Sequence, residues 1–92
     1  MKLGTRKQQP GERRRYGIDY SGALDKGDGL LSVSHLVEPA GLTVSSFVSE
    51  EYIRIIVEGG VDKSTYKITL TVTTTDENEI LEDEIYIKVK EI

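Results

Sequence analysis

Few residues in this chain carry groups that could do chemistry, and they are scattered. The one histidine, His35, follows Ser34 in an alternating segment. A serine becomes a nucleophile only when the fold brings it a base and an orienting acid. Every serine here lies in a plain strand or turn context, and no Gly-x-Ser-x-Gly elbow occurs. His35 therefore reads as a structural or surface residue. Asp25-Lys26-Gly27-Asp28-Gly29 sets two carboxylates among glycines, the outline of a calcium loop. It lacks the spaced oxygens and the terminal bidentate Glu that such a loop needs, and reads as a turn. Asp76, Glu77, Glu79, Glu82, Asp83 and Glu84 crowd one stretch. They could collect a divalent cation weakly, but such a run serves more simply as a solvated tip that discourages edge-to-edge aggregation. With no cysteine there is neither a disulfide nor a thiolate metal site. Working carboxylate pairs need a cleft to perturb them, and a domain of 92 residues has little room for one. No catalytic residue, metal ligand or cofactor is assigned, and no enzymatic activity is expected.

What remains is binding chemistry, and it lies in the charge distribution. Residues 1–15 carry Lys2, Arg6, Lys7, Arg13, Arg14 and Arg15 against Glu12 alone, a net of +5. The whole chain carries -4, which leaves -9 for the remainder. A basic arm on an acidic body can serve nucleic acid, meet an acidic partner, or pack on its own domain. Nucleic-acid binding wants a broad basic face with exposed aromatics, and an acidic body argues against it. The candidate partner-binding residues are Arg6, Lys7, Arg13, Arg14 and Arg15. A subunit of this kind could also touch its own copies arm to body, and head-to-tail contacts of that sort make rings.

The elements that position these groups are strands. From Tyr66, the residues Tyr66, Ile68, Leu70 and Val72 alternate with Lys67, Thr69, Thr71 and Thr73. After the polar turn Thr75-Asp76-Glu77-Asn78-Glu79, Ile85, Ile87 and Val89 alternate with Glu84, Tyr86, Lys88 and Lys90. A period of two with one apolar face marks half-buried antiparallel strands, so Ser64 to Val89 forms a long hairpin. An isolated hairpin is marginal in water, so the rest of the chain must cover its apolar face. Met1 to Gly11 shows neither period and is expected to be a flexible basic arm, with one domain over 12–92. Arg13 to Tyr20 is a strand with Tyr16, Ile18 and Tyr20 sharing a face. Leu31 to Val37 follows a Gly- and Asp-rich loop and places Leu31, Val33, His35 and Val37 together. Leu42 to Val48 aligns Leu42, Val44 and Val48, with Phe47 facing the other way. Tyr52 to Val57 is nearly continuous in apolar character, as in a strand partly covered on both faces.

Six or so short strands with a turn every eight to fifteen residues, and no helical period, point to an all-β sandwich, with a small open barrel as the alternative. Tyr66 starts the penultimate strand two residues before the inward Ile68. That is the position of the tyrosine corner in immunoglobulin-like sandwiches, so the expected fold is an Ig-like antiparallel β-sandwich of six to seven strands. No apolar run approaches the roughly 18 residues of a membrane helix, and no secretory segment follows the charged start, so the expected location is the cytosol.

Four segments, in order, carry a resemblance. They are Gln9-Pro10-Gly11-Glu12-Arg13-Arg14-Arg15-Tyr16-Gly17-Ile18-Asp19-Tyr20-Ser21, Leu24-Asp25-Lys26-Gly27-Asp28-Gly29-Leu30-Leu31-Ser32-Val33, Pro39-Ala40-Gly41-Leu42-Thr43-Val44, and Gly59-Gly60 with Thr65-Tyr66. Together they resemble the small Ig-like structural proteins of tailed phages and prophages, over about residues 9–89. The resemblance implies a non-enzymatic adaptor or accessory subunit of the head–tail or tail-fibre region that binds other virion proteins. It would assemble in the bacterial cytoplasm and end in the virion. The alternative is a surface- or carbohydrate-binding Ig-like module of an adhesin, which would cluster exposed aromatics on one face. The absence of Trp and the scatter of five Tyr over four strands speak against that alternative.

Overall fold

The computed structural model describes residues 1–76 and 78–92. Seven strands follow one another: β1 (Lys2–Gln8), β2 (Arg13–Asp19), β3 (Leu30–Glu38), β4 (Leu42–Ser49), β5 (Tyr52–Gly59), β6 (Ser64–Thr74) and β7 (Ile80–Val89). A single 3-10 turn, Ser21–Ala23, interrupts the loop after β2. The strands form two sheets, one in the order β1-β7-β6-β3 and one in the order β2-β5-β4. The sheets pack as an unclosed sandwich, which sets the barrel alternative aside. The order β7-β6-β3 opposite β2-β5-β4 is the immunoglobulin-type arrangement, with the first strand joined to the last.

The organising hairpin is as the alternation predicts. β6 pairs with β7 from Ser64↔Val89 to Thr73↔Ile80, and Tyr66, Ile68, Leu70, Val72, Ile85, Ile87 and Val89 are buried. Ile53, Ile55 and Val57 of β5 meet them from the facing sheet. On the outer side of β5, Arg54 and Ile56 are half-buried and Tyr52 is exposed. The Tyr66 ring lies in this core, and its hydroxyl accepts the backbone N–H of Val61 at 2.9 Å, five residues upstream.

Two expectations are corrected. Residues 1–11, read as a flexible arm, hold β1, which pairs in parallel with β7 from Lys2↔Glu84 to Gln8↔Val89. The outer edge of β7 needs a main-chain partner, and backbone groups supply one whatever the side chains are. The sandwich is therefore antiparallel except at this pair. In β3 the inward leucine is Leu30, 8% exposed, while Leu31 is 59% exposed. A register shift between Leu30 and Ser32 turns the first residue of the strand inward.

The acidic tip between β6 and β7 keeps Asp76, Glu79 and Glu82 exposed, as expected of a solvated tip, while its backbone is tied to the loop after β2; Glu77 lies outside the described residues. Asp28 Oδ1 accepts the N–H groups of Asp76 (2.7 Å) and Gly29 (2.8 Å) and the Thr75 hydroxyl (3.1 Å). Partial burial pushes its carboxyl up, but these N–H donors and the hydroxyls of Thr74 and Thr75 outweigh that and bring it down to about 2. His35 Nδ1 lies 2.6 Å from Ser46 Oγ, joining β3 to β4 across one side of the sandwich.

Candidate interaction surface

The two sheets meet differently along their two sides. β3 and β4 come together, whereas β1 and β2 face each other as edges that each pair on one side only. Two buried polar contacts bolt this second side at its ends. At one end Gln8, 3% exposed, accepts the Tyr16 hydroxyl at 2.9 Å and donates to the Val57 carbonyl at 3.4 Å. At the other, the Tyr20 hydroxyl donates to Asp83 Oδ2 at 2.7 Å, with both residues buried. Burial raises the Tyr16 phenol, and burial followed by the Asp83 hydrogen bond raises that of Tyr20 more. Neither phenol gives up its proton in the physiological range.

Between the bolts the side stays open as a groove of about 400 Å³. Leu3, Ile18 and Ile85 give it an apolar floor, and Arg6 from β1 and Arg15 from β2 reach it from opposite edges. Both arginines are exposed. An unpaired strand edge can accept a further strand from another chain. Guanidinium groups beside it would favour one bearing carboxylates.

The five predicted partner-binding residues are thus only partly gathered. Arg6 and Arg15 share the groove. Arg13 and Arg15 lie on the outer face of the β2-β5-β4 sheet, where Arg13 stands opposite Glu58. Arg14 is held by Glu12, with Nη1 and Oε2 3.3 Å apart. The Glu12 carboxyl is lowered first by the N–H of Gln9 and then by that guanidinium. Lys7 points away from the groove and stands opposite Lys88 on the outer face of the other sheet.

Several residues were not foreseen. Phe47 and Tyr52, 41% and 38% exposed, sit on neighbouring strands of one outer face, and the Arg54 guanidinium lies 5.2 Å from the Tyr52 ring centroid. Lys63, Lys88 and Lys90 gather with Lys7 at one end of the molecule. No sequence signal joins these lysines, because they come from three separate segments. Among the described residues no three His, Asp or Glu side chains come together in a way that could hold a metal ion. No helix of the described residues is long and apolar enough to cross a membrane.

Comparison with known proteins adds a family. Residues 8–88 match the model of the family described as podophage GP4 fiber-tail adaptor protein gp77. The match takes in β2 to β6, nearly all of β7 and the last residue of β1. No curated protein and no solved structure matches the chain. The chain belongs to the podophage GP4 fiber-tail adaptor protein gp77 family.

Proposed function

We propose that this chain is a non-enzymatic adaptor subunit that joins a tail-fibre protein to the tail, and that it binds through the groove between β1 and β2. The observation that carries the proposal is the pair of unpaired edges flanked by Arg6 and Arg15. The occupant is an extended segment of the partner. Its main chain adds to a free edge, and its acidic side chains meet the two guanidinium groups. Arg13 and Arg14, beyond the Gln8–Tyr16 contact on the same strand, steer the approach by their charge; Lys7 does not take part. Tyr66 acts as a structural corner that fixes the β5–β6 connection and makes no partner contact. Assembly takes place in the host cytoplasm, without nucleic acid, and the subunit stays in the virion.

The test is co-purification with the fibre protein of the same virion. R6E/R15E is expected to weaken capture at least tenfold at low salt, while T69E, on the far outer face, leaves it unchanged. Undiminished capture by a folded R6E/R15E variant would refute the groove as the binding site.

A further inference from the structure

The lysine patch lies apart from the groove on which the adaptor reading rests. Lys7 and Lys88 stand directly opposite each other across the parallel β1–β7 ladder. Lys63 and Lys90 complete the rim of a shallow depression of about 320 Å³ that also takes in Ser64 and Thr65. All four lysines are exposed. Among the described residues, none of the four forms an ion pair with a carboxylate. Asp62, beside Lys63 in the chain, has its Oδ1 engaged by the N–H of Glu91. Like charges placed opposite each other on a sheet repel, so the four lysines form a basic patch, with Glu12 and Glu91 lining the adjoining depression.

The other end is its complement. The loops after β2, between β4 and β5, and after β6 expose Asp25, Glu50, Glu51 and Asp76, with Lys26 as the base among them. The molecule is 44 Å long and 19 by 18 Å across. Charges are screened over about 10 Å at 0.1 M salt, so the two ends of one molecule cannot neutralise each other. A second copy can.

We infer that the four-lysine patch receives the acidic loop end of a second copy of this chain, giving a head-to-tail contact. Such a contact is heterologous, so it closes into a ring or extends into a filament according to its angle. It moves self-association away from the N-terminal segment, which is already engaged as β1, and onto the ends of the sandwich. Two turn residues sharpen the test. Lys63 and Glu50 have φ of 67° and 57°, a left-handed backbone that glycine adopts more readily. A purely structural role at either site predicts that glycine would do as well or better.

The experiment is light scattering and sedimentation across protein concentration, at about 20 mM and 500 mM salt. Wild type is expected to associate at low salt and to dissociate at high salt. K88E/K90E and E50K/E51K should each lose association at least tenfold, and an equimolar mixture of the two should regain it, because each then supplies the charge the other lacks. K63G and E50G should fold at least as stably as wild type yet associate more weakly. A wild type that stays monomeric at low salt, or a mixture that fails to reassociate, would overturn the inference. So would a patch that binds a single-stranded oligonucleotide in its place, with binding lost in K88E/K90E. A monomer that still captures the fibre protein would overturn this contact and leave the adaptor function standing.

Discussion

Gly60 is where the packing of the corner can be measured. Its φ is +99°, and a Cβ built there would lie 2.7 Å from Val89 Cγ2 and 3.2 Å from both Leu42 Cδ1 and Tyr66 Cε2. None of these can move aside easily, since all three residues are buried and Val89 is β-branched with a stiff χ1. The neighbouring Gly59 has φ +86°, and a Cβ there would meet nothing within 4 Å. The two alanine variants therefore share a backbone cost and differ in packing. A left-handed conformation costs an L-residue about 1–2 kcal/mol. Forcing a methyl group into a closed core costs roughly another 1–3 kcal/mol. G59A should then lose about 1–2 kcal/mol and G60A about 2–5, against the roughly 5–14 expected for a domain of this size. In urea, at a slope of about 1.5 kcal/mol per molar, the midpoints fall by about 1 M and about 1.5–3 M. The slope itself should not change. The near-ultraviolet tyrosine signal should change in G60A and not in G59A, because of these two glycines only Gly60 lies against the Tyr66 ring. Equal midpoints for the two variants would refute the reasoning, since they would show that the methyl group is accommodated and that Tyr66 is not held by this contact.

Other outcomes follow from the bolts and the tip. Y20F removes the donor to Asp83 Oδ2 and leaves a buried carboxylate short of a partner, so it should cost about 1.5–3 kcal/mol in urea unfolding. On the acid side, Asp28 is lowered in the folded chain from an ordinary 3.8 to about 2. Its contribution is therefore present above pH 3.8 and lost as pH falls toward 2, and D28N should flatten the acid limb of a stability-versus-pH curve. On the alkaline side, the Tyr16 and Tyr20 phenols are raised, so their contribution is present below about pH 10 and lost as pH climbs beyond it. Absorbance near 295 nm should then show ionisation of Tyr20 coinciding with unfolding, and a Tyr20 that titrates freely in the folded chain would contradict the buried hydrogen bond.

The sequence discloses what depends on side-chain burial and hides what depends on pairing. The alternation from Tyr66 to Val72 and from Ile85 to Val89 is legible because each inward residue meets a core and each outward one meets water. Leu30 and Leu31 are not separable in this way, since two adjacent leucines fit either face and a bulge decides between them. β1 is hidden more completely. In Lys-Leu-Gly-Thr-Arg-Lys-Gln only Gln8 is buried, so side chains carry no period, and the strand exists because main-chain groups of β7 need partners. The charged surfaces inherit the same blindness. Arg6 and Arg15 line one groove because β1 and β2 end up as facing edges of different sheets, and Lys7 stands opposite Lys88 because β1 runs parallel to β7. Alternation assigns faces but not neighbours, so a charge count finds six basic residues near the N-terminus and cannot see that Arg6 and Arg15 line a groove while Lys7 joins an end patch. For a member of a structural adaptor family, the strand order does the assigning. It sets two arginines along a groove between strand edges, and it gathers at one end four lysines that form no ion pair with a carboxylate among the described residues.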